Sequence, residues 1–384
     1  MAQNQGPTIA FLDIEFFNAT TGWAVGELGT ILKTNDGLTW QEQVSNTQRY
    51  LYDVEVIDAN TAWIAGQVGT ILKTSTAGTT WSPQTSGTNW DLNAITSVDV
   101  NTAWAVGGQG TILKTTNGGA NWDALTSGSV LPLHDAHAFN ANTVVVVGQN
   151  GTILRTTDGG VTWPSQTSGT TNTLYDVHFV DANTGWAVGA RNTIIKTTNG
   201  GTTWTPQTSG ITTGTPALNA VHFINANTGW IVAVGGIIQK TTNGGATWSV
   251  LNLPTPSLNA IYFTAAETGW GAGVIGAVLK FSGGTTAVSE RTSDQMPVQF
   301  ILRQNYPNPF NPSTVISFEL PVSSRVTLKV FDVNGREVAT LIDGHLAAGN
   351  HSAMFKPRDL AGGIYFYQIT AGQFSETHKA VLMK

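Results

Sequence analysis

The sequence repeats itself about every 41 residues, and that period restricts the possible folds more than any other feature. The stretch Asp181–Gly210 shows the unit. Three tight-turn signals, Asn183-Thr184-Gly185, Ala190-Arg191-Asn192 and Asn199-Gly200-Gly201, separate strand-sized pieces rich in β-branched and aromatic residues. The Trp of the second piece recurs at Trp23, Trp63, Trp104, Trp186, Trp230 and Trp270, and Val145 stands in its place in the fourth unit. The intervals are 40, 41, 41, 41, 44 and 40 residues. No stretch has the length and period of a helix.

A period of about 40–45 residues with four strand-like pieces is that of a β-propeller blade, so seven units predict seven blades. A single blade cannot bury both its faces, and the ring is stable only as a whole. The seventh unit stops after Lys280-Phe281-Ser282-Gly283-Gly284, without a fourth strand or its Trp. Aligning Leu12 on Leu92 sets Gln3–Pro7 opposite Pro83–Gly87. The N-terminal residues are therefore expected to supply the missing outer strand and close the ring.

Composition narrows the functional classes. Charged residues are 11% of the chain, against roughly 25% in ordinary soluble proteins. A net charge of −6 gives no basic field for nucleic acid or an anionic membrane. There is no cysteine, which excludes disulfides and thiolate metal sites. No apolar run approaches about 18 residues, so no transmembrane segment is expected. Met1–Pro7 lacks the basic and apolar regions of a signal peptide. Either the protein is cytosolic or a leader has been removed.

The turn before the last piece of each unit has the form Thr156-Thr157-Asp158-Gly159-Gly160-Val161-Thr162-Trp163. Copies with Asn117, Asn199 and Asn243 in place of Asp span Thr115–Trp122, Thr197–Trp204 and Thr241–Trp248. Thr34–Trp40 keeps Asp36 but is one residue short, and Thr74–Trp81 has Thr76 there. The side-chain oxygen is expected to accept from N–H groups two residues on, with Gly permitting positive φ and the Trp packing beneath. This reads as a structural hairpin lock rather than a calcium site.

These copies resemble the Asp-box, Ser/Thr-x-Asp-x-Gly-x-x-Trp, of the BNR repeat families. The whole unit resembles the Ycf48-like photosystem II assembly factors over residues 1–284. The resemblance implies the propeller fold and offers two alternative activities, that of an Asp-box glycoside hydrolase of sialidase type and that of a photosystem-assembly-like protein-binding factor. A sialidase-like site would take three converging arginines, a Tyr–Glu pair and an acid. Residues 1–284 hold only Arg49, Arg155 and Arg191, and Arg155 stands at the repeat position of Lys33, Lys73, Lys114, Lys196, Lys240 and Lys280. Glycosidases also need a walled cleft with paired carboxylates, yet the longest loop, Gly210–Pro216, is seven residues. The chain therefore reads as a non-enzyme. Nor do three scattered arginines make the arginine-rich patch associated with the photosystem factors. The recurring Lys is expected to lie along its strand and snorkel to solvent.

The inner strand varies most between units. One position carries Glu15, Glu55, Thr96, His137, His178, His222 and Tyr262; two residues earlier stand Asp13, Asp53, Asp135 and Asp176. Residues two apart share a strand face, so these are candidate channel-lining binding residues. Three histidines in consecutive blades raise a metal site as an idea, but the reading taken is a polar, hydrated wall, with no metal and no cofactor.

After Gly284 the pattern breaks. Residues 285–298 read as a linker. Strands are expected at Val315–Leu320, Arg325–Asp332, Glu337–Leu341, His351–Phe355, Gly363–Thr370 and Lys379–Met383, in the manner of an immunoglobulin-like sandwich. The runs Asn305–Thr314, Val330–Val338, Ala348–His351, Leu360–Tyr367 and Lys379–Lys384 resemble the C-terminal sorting domain of type IX secretion (Por system, type A). Phe355 stands where that family usually has Trp. The resemblance implies export to the cell surface or medium, with the type IX secretion machinery as partner.

The expectation is thus an all-β chain: a seven-bladed β-propeller over 1–284, a linker over 285–298 and a small immunoglobulin-like β-sandwich over 299–384. Its role is that of a secreted or surface-displayed binding or scaffold module, whose ligand is a glycan or a surface protein.

Overall fold

The computed structural model describes residues 9–251, 255–282, 289–290, 300–302, 305, 308–310, 314–320, 322–346, 349–357, 360–372 and 374–383. Contacts divide the chain into two units, Met1–Ser289 and Glu290–Lys384.

The first unit is a ring of seven antiparallel sheets. In the first blade, Phe11–Phe16 lines the channel, followed outward by Gly22–Gly26, Ile31–Thr34 and Gln41–Gln43. The fourth blade has only three strands. Pro164 faces Arg155 there and accepts from its N–H at 3.1 Å, but it has no N–H to return. The seventh blade has Leu258–Ala265, Thr268–Gly273 and Val278–Ser282, with Ser289–Glu290 in fourth place. That place had been expected to go to the N-terminus, and residues 1–8 lie outside the described residues. Ser289–Glu290 falls in the stretch read as a linker, the rest of which is also outside them. Phe11, not Leu12, takes the place of Leu92: Phe11 pairs with Gly26 as Leu92 pairs with Gly107.

Packing runs between blades. Seven buried clusters each draw on two neighbouring blades, and one joins Phe11, Ile14 and Phe16 of the first to Trp270 and Val278 of the last. The second-strand Trp of one blade stacks on a Phe at or near the end of the next inner strand: Trp186 on Phe223 at 3.5 Å, Trp230 on Phe263 at 3.6 Å and Trp270 on Phe16 at 3.7 Å. Asn259 Nδ2 also donates to Phe11 O at 2.7 Å. The ring is therefore closed by side chains as well as by sheet order.

The recurring lysines do not snorkel freely. Each lies opposite the second-strand Trp, as Lys33 faces Trp23, and its ammonium sits over that indole, at 4.1 Å for Lys73 over Trp63. Lys73 Nζ then donates to Val100 O and Gly118 O of the next blade, both at 2.9 Å. A cation over an aromatic face is attracted by the ring quadrupole, and the carbonyls replace part of its water. In the fourth blade Val145 removes the indole, and Arg155 keeps the reach to the next turn, Nε to Gly200 O at 2.7 Å.

The Asp-box turns differ from expectation in their offset. Asp158 Oδ1 accepts from Thr162 N, four residues on, at 3.0 Å, and Asn117, Asn199 and Asn243 do the same with Asn121, Thr203 and Thr247. In the short copy Asp36 Oδ1 accepts from Leu38 and Thr39. The carboxyls of Asp36 and Asp158 are held well below the usual range by these bonds. All five residues are exposed on the lower rim, away from the channel.

The second unit has a three-stranded sheet, Ile301–Leu302, Thr314–Leu320 and Gly349–Phe355, and a four-stranded one, Glu337–Leu346, Ser324–Phe331, Gly363–Ala371 and Phe374–Leu382. Their inward residues, among them Phe310, Phe318, Leu328, Phe355 and Tyr367, form one core. The last strand begins at Phe374, earlier than expected, because a tight turn around Gly372 (φ 59) pairs Ala371 with Phe374. Asn305 is buried, with its N–H on Tyr367 Oη at 2.7 Å and its amide on Thr314 Oγ1 at 2.9 Å.

Candidate functional site

Inward side chains of the seven inner strands enclose a cavity of about 370 Å³. A bulge after the first residue of most of these strands, such as that between Phe11 and Asp13, sets the aim of the rest. Three tiers result. Tyr52, Asn93, His134 and Tyr175 stand at the upper mouth, Asp13, Asp53, Asp135 and Asp176 in the middle, and Glu15, Glu55, Thr96, His137, His178, His222 and Tyr262 below. The structure thus brings every channel candidate into one tube.

Most of these groups are engaged with the neighbouring blade. Asp13, Asp53, Asp135 and Asp176 accept through Oδ2 from Val54, Ile95, Val177 and Val221 N at 2.9, 2.6, 2.8 and 2.6 Å. Glu15 accepts from Val56 N, and Glu55 Oε1 from Ser97 N and Oγ at 2.9 and 2.8 Å. His178 and His222 donate through Nε2 to Phe223 O and Phe263 O, both at 2.9 Å.

Protein surrounds these side chains, and burial dominates their titration. It raises Asp13, Asp53, Asp135 and Asp176. The neighbouring carboxyl adds to this: Asp13 raises Asp53 further, and Asp176 raises Asp135. Burial lifts Glu55 to about 7 and, with the charges of Glu55 and Asp13, raises Glu15 well above its usual range. It lowers His137 to about 3, His178 to about 4 and His222 well below the ordinary value. These imidazoles are neutral at pH 7. They form an arc with centroids 6.0 Å (His137–His178) and 4.5 Å (His178–His222) apart, ending on Tyr262. Among the described residues no group of three or more His, Asp or Glu is arranged to hold a metal.

The two faces of the ring differ in kind. On the lower face the first turn of six blades is one motif: Asn18, Asp58, Asp99, Asn140, Asp181 and Asn225 each accept from N–H groups two and three residues on. On the upper face four of the loops leading into the inner strands share a backbone turn, Ser45, Ser86, Ser127 and Ser168 each accepting from the N–H two residues on, but the two residues before each strand differ. They read Arg49-Tyr50, Trp90-Asp91, Leu131-Pro132 and Asn172-Thr173 at matching positions. The second-to-third turns there hold Leu28, Val68, Gln109, Asn150, Arg191 and Ile275 at φ near 55°. Arg49 and Arg191 belong to this face and Arg155 to the other, so the three arginines do not converge.

Three overlapping stretches, residues 6–133, 38–171 and 165–257, match the family described as Photosynthesis system II assembly factor YCF48. The chain belongs to this family. Residues 304–383 match the Secretion system C-terminal sorting domain, so this YCF48-family propeller is exported by type IX secretion to the cell surface or the medium. No curated protein matches the chain. Among solved structures it is similar to YCF48 bound to D1 peptide, at 20% identity and TM-score 0.61 over 73% of this chain and 97% of that one. PorZ of Porphyromonas gingivalis, described as an essential bacterial surface component of the type IX secretion system, is similar at 12% identity and TM-score 0.56, over 100% of this chain and 61% of that one. A GH74 enzyme of Niastella koreensis is similar at 12% identity and TM-score 0.62, over 96% and 72%. At these identities the likeness is one of fold.

Proposed function

We propose that the exported propeller is a non-catalytic binding module that takes its ligand, a surface glycan or surface protein, on the upper face. The observation that carries this reading is the contrast between the faces. Where packing dictates the residue, the blades are near copies; on the upper face the loops keep a common backbone turn while the side chains they present change from blade to blade. A ring needing only to be a spacer has no use for that asymmetry.

The channel supports the same reading. Glycoside hydrolysis by paired carboxyls needs them about 5–9.5 Å apart with room for sugar and water. Here each aspartate is tied to a backbone N–H of the next blade, which suits a structural role. A relative in the family was solved with a peptide bound, which fits binding rather than turnover. Its particular ligand does not carry over at 20% identity.

The test is a panel of fluorogenic glycosides run beside arrays of bacterial glycans and surface proteins, all with the full chain. Saturable binding without turnover is expected. Release of fluorophore above a heat-denatured control would overturn the reading.

A further inference from the structure

We infer that the sector of the upper face around Trp90 binds a neutral carbohydrate, the pyranose ring stacking on the indole. This deepens the binding reading above and rests on it.

Twelve of the thirteen tryptophans are buried in or between the blades, while Trp90 is 54% exposed. It is also the one Trp outside the two repeat positions, so ring packing does not account for it. Its loop is fixed: Trp90 N donates to Thr88 Oγ1 at 3.1 Å, and Thr88 N to Ser86 Oγ at 3.4 Å. The indole is thus presented on ordered backbone, which lowers the ordering cost of binding.

Polar groups gather on the same face around the adjoining turn at Val68. Asp91 Oδ1 accepts from Val68 N at 2.8 Å and Oδ2 from Tyr52 Oη at 3.2 Å. Each carboxylate oxygen can accept again, so a ligand hydroxyl can be bound without breaking either bond. Arg49 lies over the same turn, Nη1 to Val68 O at 3.0 Å. Tyr50 is partly exposed and meets Tyr52 edge to face, centroids 6.5 Å apart. An exposed indole on the same face as a carboxylate, a guanidinium and phenols suits a sugar, which has a C–H face and a rim of hydroxyls. One carboxylate and one guanidinium offset each other locally, which favours a neutral ligand over a charged one.

The experiment uses the full chain, with cellohexaose, maltohexaose and mannohexaose as probes. Calorimetry is paired with iodide quenching of tryptophan emission, which reaches Trp90 and not the buried indoles. At least one probe is expected to bind saturably and shield the quenchable emission. Trp90→Ala should weaken it by about tenfold or more, equivalent to about 1.4 kcal/mol, and Asp91→Asn by a smaller factor. Val130→Ala, on the same face in another sector, should leave it unchanged. Thermal melts of all three variants should match the parent. Failure of every hexasaccharide to bind, or Trp90→Ala binding as tightly as the parent, would overturn the inference. So would a proline-rich peptide shielding Trp90 where no sugar does. In the peptide case the upper face still binds, so the inference fails while the general reading stands.

Discussion

Trp270 lies flat against Phe16, ring centroids 3.7 Å apart and planes 18° from parallel, joining the last blade to the first. The same contact recurs between other neighbouring blades, but here it spans the longest sequence separation of the three. It shows that closure rests on inter-blade side-chain packing and not on an outer strand alone.

Trp270→Ala should therefore cost about 3–5 kcal/mol, read as a lowered urea midpoint. Trp90→Ala, at an exposed site, should stay within about 0.5 kcal/mol. Equal losses would contradict the packing account.

Lys73 tests the tie between blades. Lys73→Met removes the cation over Trp63 and two bonds to the third blade. The side chain is partly exposed, so a loss of about 1 kcal/mol is expected, again by denaturant midpoint. Lys73→Arg should recover most of it, since Arg155 keeps the equivalent reach in the fourth blade.

The channel gives a pH dependence whose sign follows from proton uptake. Burial lifts Glu55 to about 7 in the folded ring, against about 4.3 unfolded. Between those values the folded state holds the extra proton, so this group's contribution falls as pH rises through the window. Glu55→Gln keeps an oxygen for Ser97 and cannot ionise. Its stability relative to the parent should rise from about pH 4.5 to about pH 7. The histidines act oppositely: folded values near 3 and 4 for His137 and His178 make their contribution grow with pH up to about 6.5. The histidines cancel in the difference between variant and parent, which reports Glu55 together with its effect on Glu15, and a flat difference would contradict the assignment.

Export depends on the second unit. A chain ending at Val298 should remain inside the producing cell when fractions are probed by antibody, whereas the full chain reaches the surface or medium. Surface delivery of the shortened chain would contradict it.

The ring was legible because its period is set by local turn chemistry repeated many times, and Trp23 through Trp270 mark it. The channel was legible too, since a two-residue step fixes which side chains share a face. What they do there was not. The partners of Asp13, Asp53 and Lys73 lie about a blade away in sequence, and no local pattern points from Lys73 to Gly118. The N-terminal strand expected for the last blade lies outside the described residues, and Ser289–Glu290, which takes fourth place in its sheet, carries no Asp-box or Trp to announce it. Trp90 was overlooked although a signal existed: it is the one Trp out of step with the repeat.

The most direct test of binding through the upper face is biolayer interferometry of the full chain against glycan and protein fractions from the producing cell's surface, with arginines placed on one face at a time. Trp90→Arg, Val130→Arg and Ile275→Arg together block the upper face; Leu38→Arg with Val161→Arg blocks the lower. Binding lost in the first set and kept in the second is the predicted result. Binding kept with the upper face blocked and lost with the lower would contradict it.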